Sequence, residues 1–375
     1  MKTAESRLAW ALLAPALTVL GVFGIFPIGY ALFVSLHRWR LKKGDFVAFD
    51  HYRRALGEAW FAGLILLAAA AWLLAVWVAR RRRSQPRQHK LLRAVGAGLG
   101  LLAALAAVSG VAGMASTGDS RLFNSFLVTA FYAFGTIPIE VGVSMFLACL
   151  LFRASLGRGF FRVLYFLPYV TPMIATAVLF RTLFSPHPSS LANRFWGFLG
   201  FENQRWLFES RSVAALVCQG LDLACPAWAN TFFPSLALVS VVLYNVWVYI
   251  GYDTVILLAG LSAIPRHYYE AAAMDGANAL QSFRHVTVPL ISPTLFFITL
   301  VGFIGTFKAF NHIYILRTAG ARDTVDVVSI LIFDRLYNYQ DAGYASCLSL
   351  ILFAAILALT LAQNRLLGRR VFYGE

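Results

Sequence analysis

Long apolar runs separated by short polar stretches dominate this chain. Each run reaches or exceeds the roughly 20 residues that a helix needs to cross a bilayer, and none has the alternation typical of a membrane β-barrel. Because backbone groups in lipid must be hydrogen-bonded within the protein, the runs predict helices. The eight predicted spans lie at approximately 8–36, 59–79, 91–115, 122–152, 160–184, 234–261, 294–316 and 342–366.

The composition supports the same fold class. Of the 375 residues, 59% are hydrophobic and 13% are charged, and the mean hydropathy is +0.69. A soluble domain of this size could not bury so much apolar surface, so we expect an all-α integral membrane protein. The net charge of +15 comes from arginines between apolar runs, which indicates topology anchors and contacts with anionic membrane lipid. No basic soluble domain is present that would bind nucleic acid.

Charge placement predicts the orientation. Eight spans put both termini on one side of the membrane. The arginine quartet at 80–83, the polar segment 262–293 and the basic tail 367–375 fall on that side, so the positive-inside rule makes it cytoplasmic. The loop 37–58 also carries basic residues, but its carboxylates reduce their excess. The first run lacks a convincing cleavage site and is predicted to be a true span.

The polar segment 262–293 has the pattern of a helix–turn–helix. Strong helix formers follow a proline that is suited to a first turn, and Gly276 stands where a helix ends on a left-handed residue. A second short helix is predicted at about 278–285, stopped by Pro289 and Pro293. The segment therefore predicts a compact knob outside the bilayer.

The string EAAAMDGAN in this segment, followed by VPL and a further proline, resembles the EAA loop of binding-protein-dependent ABC importer permeases. Three other stretches resemble the carbohydrate-uptake subfamily, of the maltose and glycerol-3-phosphate type. They are FVAFDHYRRAL (46–56), the start of the fourth span from LFNSFLVTAF onward, and TAGARDTVDVVSILIFDRLYNYQDAGYASCLSLIL near the end. The resemblance implies the transmembrane domain of a type I ABC importer with a six-helix core.

One departure from the family pattern concerns the second and third spans. About sixty residues separate two stretches that almost adjoin in such permeases. We predict a peripheral hairpin here, with Gly96 and Gly100 allowing close helix approach. The predicted organisation is N-terminus and first span (1–36), external loop (37–58), extra hairpin with a cytoplasmic arginine-rich turn (59–115), core permease domain (122–366) and cytoplasmic tail (367–375).

The resemblance also implies which residues couple the permease to its motor. A carboxylate at Glu270 on a short exposed helix can pair with an arginine of an ATPase subunit. The alternative is an amphipathic interfacial helix without a partner. No GxxxxGK[ST] loop is present, so we expect no ATPase site and no cofactor, with ATP bound by partner subunits. The implied coupling residues are Glu270, Ala271, Ala272, Asp275 and Gly276.

A solute pathway is predicted in the sixth and seventh spans. Asn245, Tyr249 and Tyr252 lie at i, i+4 and i+7, hence on one helix face, and they match sugar-contacting positions of the maltose-type pattern. In the seventh span two of the three matching positions, Gly302 and Ala309, lack polar side chains. The alternative is that these polar groups only hold helices together. The candidate pathway residues are Asn245, Tyr249, Tyr252, Gly302, Thr306, Lys308 and Asn311.

Two ionisable residues, Glu140 and Lys308, fall within apolar runs. Intramembrane charges pair or mark a pathway, so a structural, gating or substrate-binding role is open for both. Lys308 keeps an anionic solute, such as glycerol-3-phosphate or a sugar phosphate, as an alternative. A self-sufficient proton-coupled transporter using Glu140 would need inverted repeats, and none is visible. A membrane enzyme would need a clustered catalytic set, and the sequence has neither that nor a metal motif.

The loop 185–232 is long enough to form a small external cap. Its tryptophans, Trp196, Trp206 and Trp228, either dock a solute-binding protein or line the membrane interface. Cys218 and Cys225 form either a disulfide or two free thiols, whereas Cys149 and Cys347 lie inside apolar runs. The implied partners are a second permease, two ABC ATPases and an extracytoplasmic solute-binding protein, in a bacterial or archaeal cytoplasmic membrane.

Overall fold

The chain folds almost entirely into helices, as the apolar runs predict. A computed structural model describes residues 2–84, 89–153, 157–221, 223–226, 233–368 and 371–372. The α-helices of these residues are α1 (Lys2–Leu20), α2 (Phe26–Ser35), α3 (Asp50–Leu56), α4 (Ala59–Ser84), α5 (His89–Thr117), α6 (Ser120–Arg153), α7 (Arg158–Val170), α8 (Met173–Leu183), α9 (Leu191–Phe198), α10 (Val213–Gly220), α11 (Leu236–Ser262), α12 (Arg266–Met274), α13 (Ala279–Ser282), α14 (Val288–Phe307), α15 (Asn311–Leu316), α16 (Arg322–Val325), α17 (Val328–Phe333) and α18 (Ala342–Leu366). A small antiparallel hairpin, β1 (His37–Trp39) and β2 (Lys43–Phe46), follows α2.

Six helical stretches of the described chain are long and apolar enough to cross a membrane, and a seventh is added if α7 and α8 form one span. The six are Trp10–Ser35, Val95–Thr117, Ser120–Phe152, Leu236–Ser262, Ala279–Phe307 and Ala342–Leu366. The predicted second span is helical as α4, but several of its side chains lie outside the described residues. The fold class is confirmed, and the count of eight spans stays a prediction.

The fifth predicted span is not one straight helix. α7 and α8 meet at an angle of 93°, and the break falls at Thr171 and Pro172. A proline disfavours the helical conformation of the residue before it, and Thr171 is accordingly extended, with ψ 140°. Its hydroxyl donates to the carbonyl of Leu167 at 2.8 Å, which satisfies one group at the end of α7. The continuous helix predicted for 160–184 was wrong.

The seventh span begins earlier and ends earlier than predicted. α14 starts at Val288 with Pro289 in its first turn, and Pro293 lies inside the helix. A first turn tolerates proline because the missing N–H would have no partner there, so the prediction that these prolines stop the preceding helix was wrong. A π-helix, Phe283–Thr287, joins α13 to α14. The span ends at Phe307 and not at 316.

The chain divides into two compact units, and the first comprises Met1–Asn124 and Ile332–Ile351. In this unit α4 and α5 pack closely, because Gly113 leaves room for the ring of Phe61. A Cβ at Gly96 would lie 3.7 Å from Val78 Cγ1, in ordinary contact, whereas one at Gly100 would meet no described atom within 4 Å. The close approach predicted for the glycine pair therefore occurs at one of the two positions.

Polar contacts between side chains fix the loops of the first unit. The carboxylate of Asp119 accepts hydrogen bonds from Arg335 Nη2 at 3.1 Å and from the Tyr344 hydroxyl at 2.7 Å. Arg54 Nη1 lies 3.4 Å from Asp341 Oδ2. These contacts join α3 to the chain segments that begin α6 and α18.

The second unit, Ser125–Leu331 and Leu352–Glu375, is built around α11. Buried residues of α11 pack with α6, α8 and the segment after α14 into one apolar cluster. Ser144 of α6 donates to the carbonyl of Ile250 at 2.9 Å. Gly251 meets α7 so closely that an added Cβ would lie 1.8 Å from the carbonyl oxygen of Tyr165. The cavity described next depends on this packing.

Candidate functional site

A cavity of about 370 Å³ opens within the second unit, bordered by α6, α7, α11, α14 and the start of α15. This volume is in the range of small-molecule sites. Every residue predicted for the solute pathway borders it, and so does Glu140. They are Asn245, Tyr249, Tyr252, Gly302, Thr306, Lys308 and Asn311.

One wall of the cavity is aromatic. Tyr249 and Tyr252 lie on the same side of α11, as their spacing predicts, and Tyr169 of α7 packs against both. The rings of Tyr169 and Tyr252 are stacked with centroids 4.6 Å apart, and Tyr169 meets Tyr249 edge-on at 5.6 Å. Tyr169 was not among the predicted residues. Its contribution depends on the end of α7 approaching α11.

A carboxylate and an amide meet at the border of the same cavity. Glu140 of α6 is only 3% exposed, and its Oε1 accepts a hydrogen bond from Asn245 Nδ2 at 3.2 Å. The sequence predicted Asn245 as a sugar contact and Glu140 as an intramembrane charge with a structural, gating or substrate-binding role. The structure brings the two together, so Glu140 belongs to the same site.

Three further polar groups of the cavity were missed by the sequence analysis. Asp253 of α11 is 8% exposed and His312 of α15 is 3% exposed. Tyr132 is fully buried, and its hydroxyl lies 2.7 Å from His312 Nε2. Asp253 had the same signal that selected Glu140, a carboxylate within an apolar run. His312 falls inside the predicted seventh span, 294–316, but the sequence pattern did not connect it with the other site residues.

The positions on and after α14 differ in character. Gly302 has no polar side chain, and a Cβ there would lie 2.7 Å from Ile137 Cδ1, so the end of the Ile137 side chain would have to move to admit a larger residue. Thr306 is buried and donates to the carbonyl of Phe303 at 3.0 Å. Lys308 and Asn311 are exposed at the margin of the cavity. Lys308 directly follows the last residue of α14, so it lies at the end of the span and not within it.

The predicted knob is present as α12 and α13. Gly276 adopts φ +75°, which confirms the left-handed turn after α12. Asn278 and Gln281 form a reciprocal capping box at the start of α13. Glu270 and Ala271 are exposed, and Met274 and Leu280 are 88% and 74% exposed. The knob therefore keeps a free face.

A shallow groove of about 420 Å³ runs between α12 and α13. Ala272, Asp275 and Gly276 line it on one side and Gln281 and His285 on the other. The Tyr269 hydroxyl lies 3.2 Å from Thr287 Oγ1, which ties α12 to the turn that leads into α14. All predicted coupling residues thus lie on or beside an accessible surface.

The cap segment between α8 and α11 has its own small core. Asn193 is buried and accepts hydrogen bonds from the Gln204 backbone at 2.9 Å and from Trp206 Nε1 at 2.7 Å. Trp206 is buried against Trp196 and Phe184, so of the two roles left open for it, docking of a binding protein is not supported. Trp228 lies outside the described residues.

A backbone hydrogen bond joins the cap segment to α11, and an ion pair lies beside it within the cap. Arg211 Nη2 lies 2.9 Å from Glu209 Oε2, and the Ala237 backbone donates to the Glu209 carbonyl at 3.2 Å. Hydrogen bonds from Arg211 lower the pKa of Glu209. This carboxylate therefore stays ionised, and its pairing is lost only when acid protonates it below the ordinary range of glutamate.

Cys218 and Cys225 are free thiols in the structure, and a hydrogen bond from one to the other raises the pKa of Cys225. Because they already touch, we expect mild oxidation of the purified protein to join them in a disulfide. Non-reducing peptide mapping should show the two peptides linked, while the peptides of Cys149 and Cys347 stay unlinked. Recovery of both as alkylated thiols after oxidation would contradict the expectation.

Comparison with known proteins places these features in context. The family described as "Binding-protein-dependent transport system inner membrane component" matches residues 140–373. The probable ABC transporter permease protein YesP of Bacillus subtilis is 29% identical over 248 residues, covering 65% of this chain and 72% of the relative. The trehalose/maltose transport system permease protein MalF of Thermococcus litoralis is 24% identical over 365 residues, covering 96% and 94%.

A solved structure has a similar fold. It is a crystal structure of a bacterial ABC transporter involved in the import of the acidic polysaccharide alginate, with TM-score 0.54 and 20% identity. The match covers 68% of this chain and 81% of the other. At this identity the likeness concerns the fold, and it agrees with the importer transmembrane architecture implied by the sequence.

Proposed function

As a member of the family of binding-protein-dependent transport system inner membrane components, the chain is a multi-pass permease subunit of a carbohydrate-uptake ABC importer, and we propose that it carries a sugar through the cavity in its second unit. The permease is a transport component. The energy comes from ATP bound and hydrolysed by separate ATPase subunits, and we assign no cofactor to this chain.

The connection between knob and cavity carries this proposal. The knob joins α11 directly to α14, and these two helices supply half of the residues that border the cavity. A displacement of the knob must therefore move one or both walls. Coupling of nucleotide-driven closure to rocking of a helix bundle around a central site requires such a connection.

The cavity chemistry suits a sugar. The Tyr169, Tyr249 and Tyr252 rings offer faces for the C–H side of a pyranose. The Asn245 amide and nearby carboxylates offer hydrogen-bond partners for hydroxyl groups. The site is open on one side, where Tyr169 is 39% and Phe297 is 51% exposed. We assign that side to a second, similar permease, because one bundle supplies half a pathway.

The remaining partners follow from the orientation. The knob and both termini lie in the cytoplasm of a bacterium or archaeon, and two ATPase subunits dock on the knob. The cap segment then faces outward and meets an extracytoplasmic solute-binding protein. Arginines beside the spans contact anionic lipid, and nucleic acid has no role.

Lys308 supports a second candidate, the import of an anionic solute such as glycerol-3-phosphate. It is a cation at the cavity margin, and no ion pair to it occurs in the described part of the chain. The Lys308→Met variant tests this candidate through its uptake of a phosphorylated solute. Unchanged uptake would exclude a contact between Lys308 and the solute.

The complete importer, reconstituted in proteoliposomes with its second permease, ATPases and binding protein, tests the main proposal. We expect ATP-dependent accumulation of a labelled sugar and none when this chain is omitted. A Met274→Cys variant in a Cys218→Ser/Cys225→Ser background, which lacks the thiols of the cap segment, should react with an impermeant maleimide only in inside-out vesicles, because Met274 is freely exposed on the knob. Labelling of right-side-out cells would overturn the orientation.

A further inference from the structure

We infer that the cavity selects a sugar that carries a positive charge, an amino sugar, over neutral sugars and against acidic ones. The inference rests on the proposed function and names the substrate class of the same site. Glu140 and Asp253, with the three tyrosines, are the residues that make the selection.

Among the residues that the structure describes, no cation compensates the two carboxylates. Glu140 is 3% and Asp253 is 8% exposed, and both border the cavity. Glu140 accepts one hydrogen bond, from the neutral Asn245 amide. Within the described chain, no hydrogen bond reaches the Asp253 side chain, and no lysine, arginine or histidine nitrogen lies within 4.0 Å of either carboxylate.

A buried carboxylate without a partner is costly. In membrane proteins such groups face a polar cavity and pair with one another, with backbone carbonyls or with the transported species. In the described part of the chain, Asp253 forms no hydrogen bond or ion pair, and it borders the space in which a solute would sit. An ammonium group is the ligand chemistry that satisfies it, because it supplies both opposite charge and hydrogen-bond donors.

Two other features of the same cavity favour a cation. The rings of Tyr169, Tyr249 and Tyr252 present π-faces, which attract ammonium groups. Helix α7 ends at Val170, and Tyr169 in its last turn borders the cavity. The end of a helix carries partial negative charge on carbonyls that lack intrahelical partners, so this end adds to the field of the carboxylates.

Lys308 does not cancel this field. Gly302 lies level with Ile137, since a Cβ at Gly302 would be 2.7 Å from Ile137 Cδ1. Lys308 lies six residues beyond Gly302 on α14, and Glu140 lies three residues beyond Ile137 on α6. The two residues lie on opposite sides of the level that Gly302 and Ile137 share. At 1.5 Å per residue the two are separated by about 13 Å along the helix axes. Lys308 therefore lies at one end of the cavity, and Glu140 lies well away from that end.

The test is equilibrium binding to the purified importer in nanodiscs without its binding protein, whose own selectivity then does not enter. The probes are labelled disaccharides of glucosamine, glucose and glucuronic acid. We expect the glucosamine disaccharide to bind at least about tenfold more tightly than the glucose one, and the glucuronic acid one most weakly. The Glu140→Gln/Asp253→Asn double variant should lose this order.

Two further variants keep the test decisive. Asp45→Asn removes an exposed carboxylate from the first unit and should leave the order unchanged. Asp253→Asn alone should raise the Tm of the empty importer, because it removes an unpaired buried charge. A lowered Tm would instead reveal that the substitution impairs folding. Lys308→Met should preserve the preference for the amine.

Each outcome has a separate meaning. Equal binding of the amine and the neutral sugar by the unmodified importer, or an amine preference that survives the double variant, would overturn the inference while sugar transport stands. Absence of binding and of ATP-driven uptake for all three sugars would instead remove the proposed function.

Discussion

Replacement of Glu270 by Ala is expected to reduce ATP-driven uptake by about thirtyfold. The side chain is exposed on α12 and forms no hydrogen bond or ion pair within the described chain, so its removal costs the permease itself little. Loss of one partner from a desolvated, hydrogen-bonded charge pair across an interface costs roughly 2 kcal/mol or more, which corresponds to this factor.

The measurement pairs uptake with ATP hydrolysis in the same proteoliposomes. We expect sugar-stimulated hydrolysis to fall together with uptake, while the Tm of the isolated permease stays constant. Asp45→Ala, which removes an exposed carboxylate of the first unit, serves as the matched control and should retain both activities. Normal uptake and normal sugar-stimulated ATP hydrolysis by the Glu270 variant would mean that this carboxylate does not bind the ATPase subunit.

Replacement of Gly251 by Ala is expected to cause the largest loss of stability. A Cβ at this position would lie 1.8 Å from the Tyr165 carbonyl oxygen and 2.4 Å from the Tyr165 carbonyl carbon. Both are backbone atoms of α7, so no side-chain rotation relieves the overlap and the helix must move. Overpacking costs typically about 1–3 kcal/mol, and displacement of a whole helix puts this variant at or above the upper end.

The shift should also reach the cavity, because α7 carries Tyr169. Its stacking on Tyr252 at 4.6 Å would be lost, and binding of a sugar probe should weaken along with the Tm. Gly142→Ala is the control, since a Cβ there would meet no described atom within 4 Å and alanine favours a helix. A Gly251→Ala protein with an unchanged Tm would show that α7 adapts at no cost.

Much of the helical architecture follows from local pattern. The predicted span 342–366 coincides with α18, because a polar turn and an arginine bound an uninterrupted apolar run. The knob was predicted down to its left-handed glycine, since Gly276 and the Asn278–Gln281 box act within a few residues of chain. Such signals need no tertiary context.

The predicted fifth and seventh spans were wrong at prolines, because a proline breaks a helix in one setting and is accommodated within it in another. Pro172 breaks a span, whereas Pro289 and Pro293 are accommodated in α14. The difference depends on which residues precede each proline and on whether neighbouring groups satisfy the freed backbone. Apolar periodicity contains no information on either point, so the bend and the start of α14 could not be placed.

The candidate site was predicted in part for a similar reason. The tyrosines and Asn245 share a face of one helix, which spacing reveals. The pairing of Glu140 with Asn245, and the arrival of Tyr169 and His312, depend on how separate helices pack, which one chain's pattern does not encode. Asp253 is the exception, because its burial within an apolar run was visible from the start.

The π-helix at Phe283–Thr287 changes how the side chains of the knob are oriented relative to those of α14. One turn of five-residue spacing holds an extra residue relative to an α-helix, so the azimuth of every side chain beyond it is offset by about 100°. The knob and the cavity-lining part of α14 are therefore out of phase by more than a quarter turn. A rotation of the knob about this axis translates into a differently directed swing of Gly302 and Thr306.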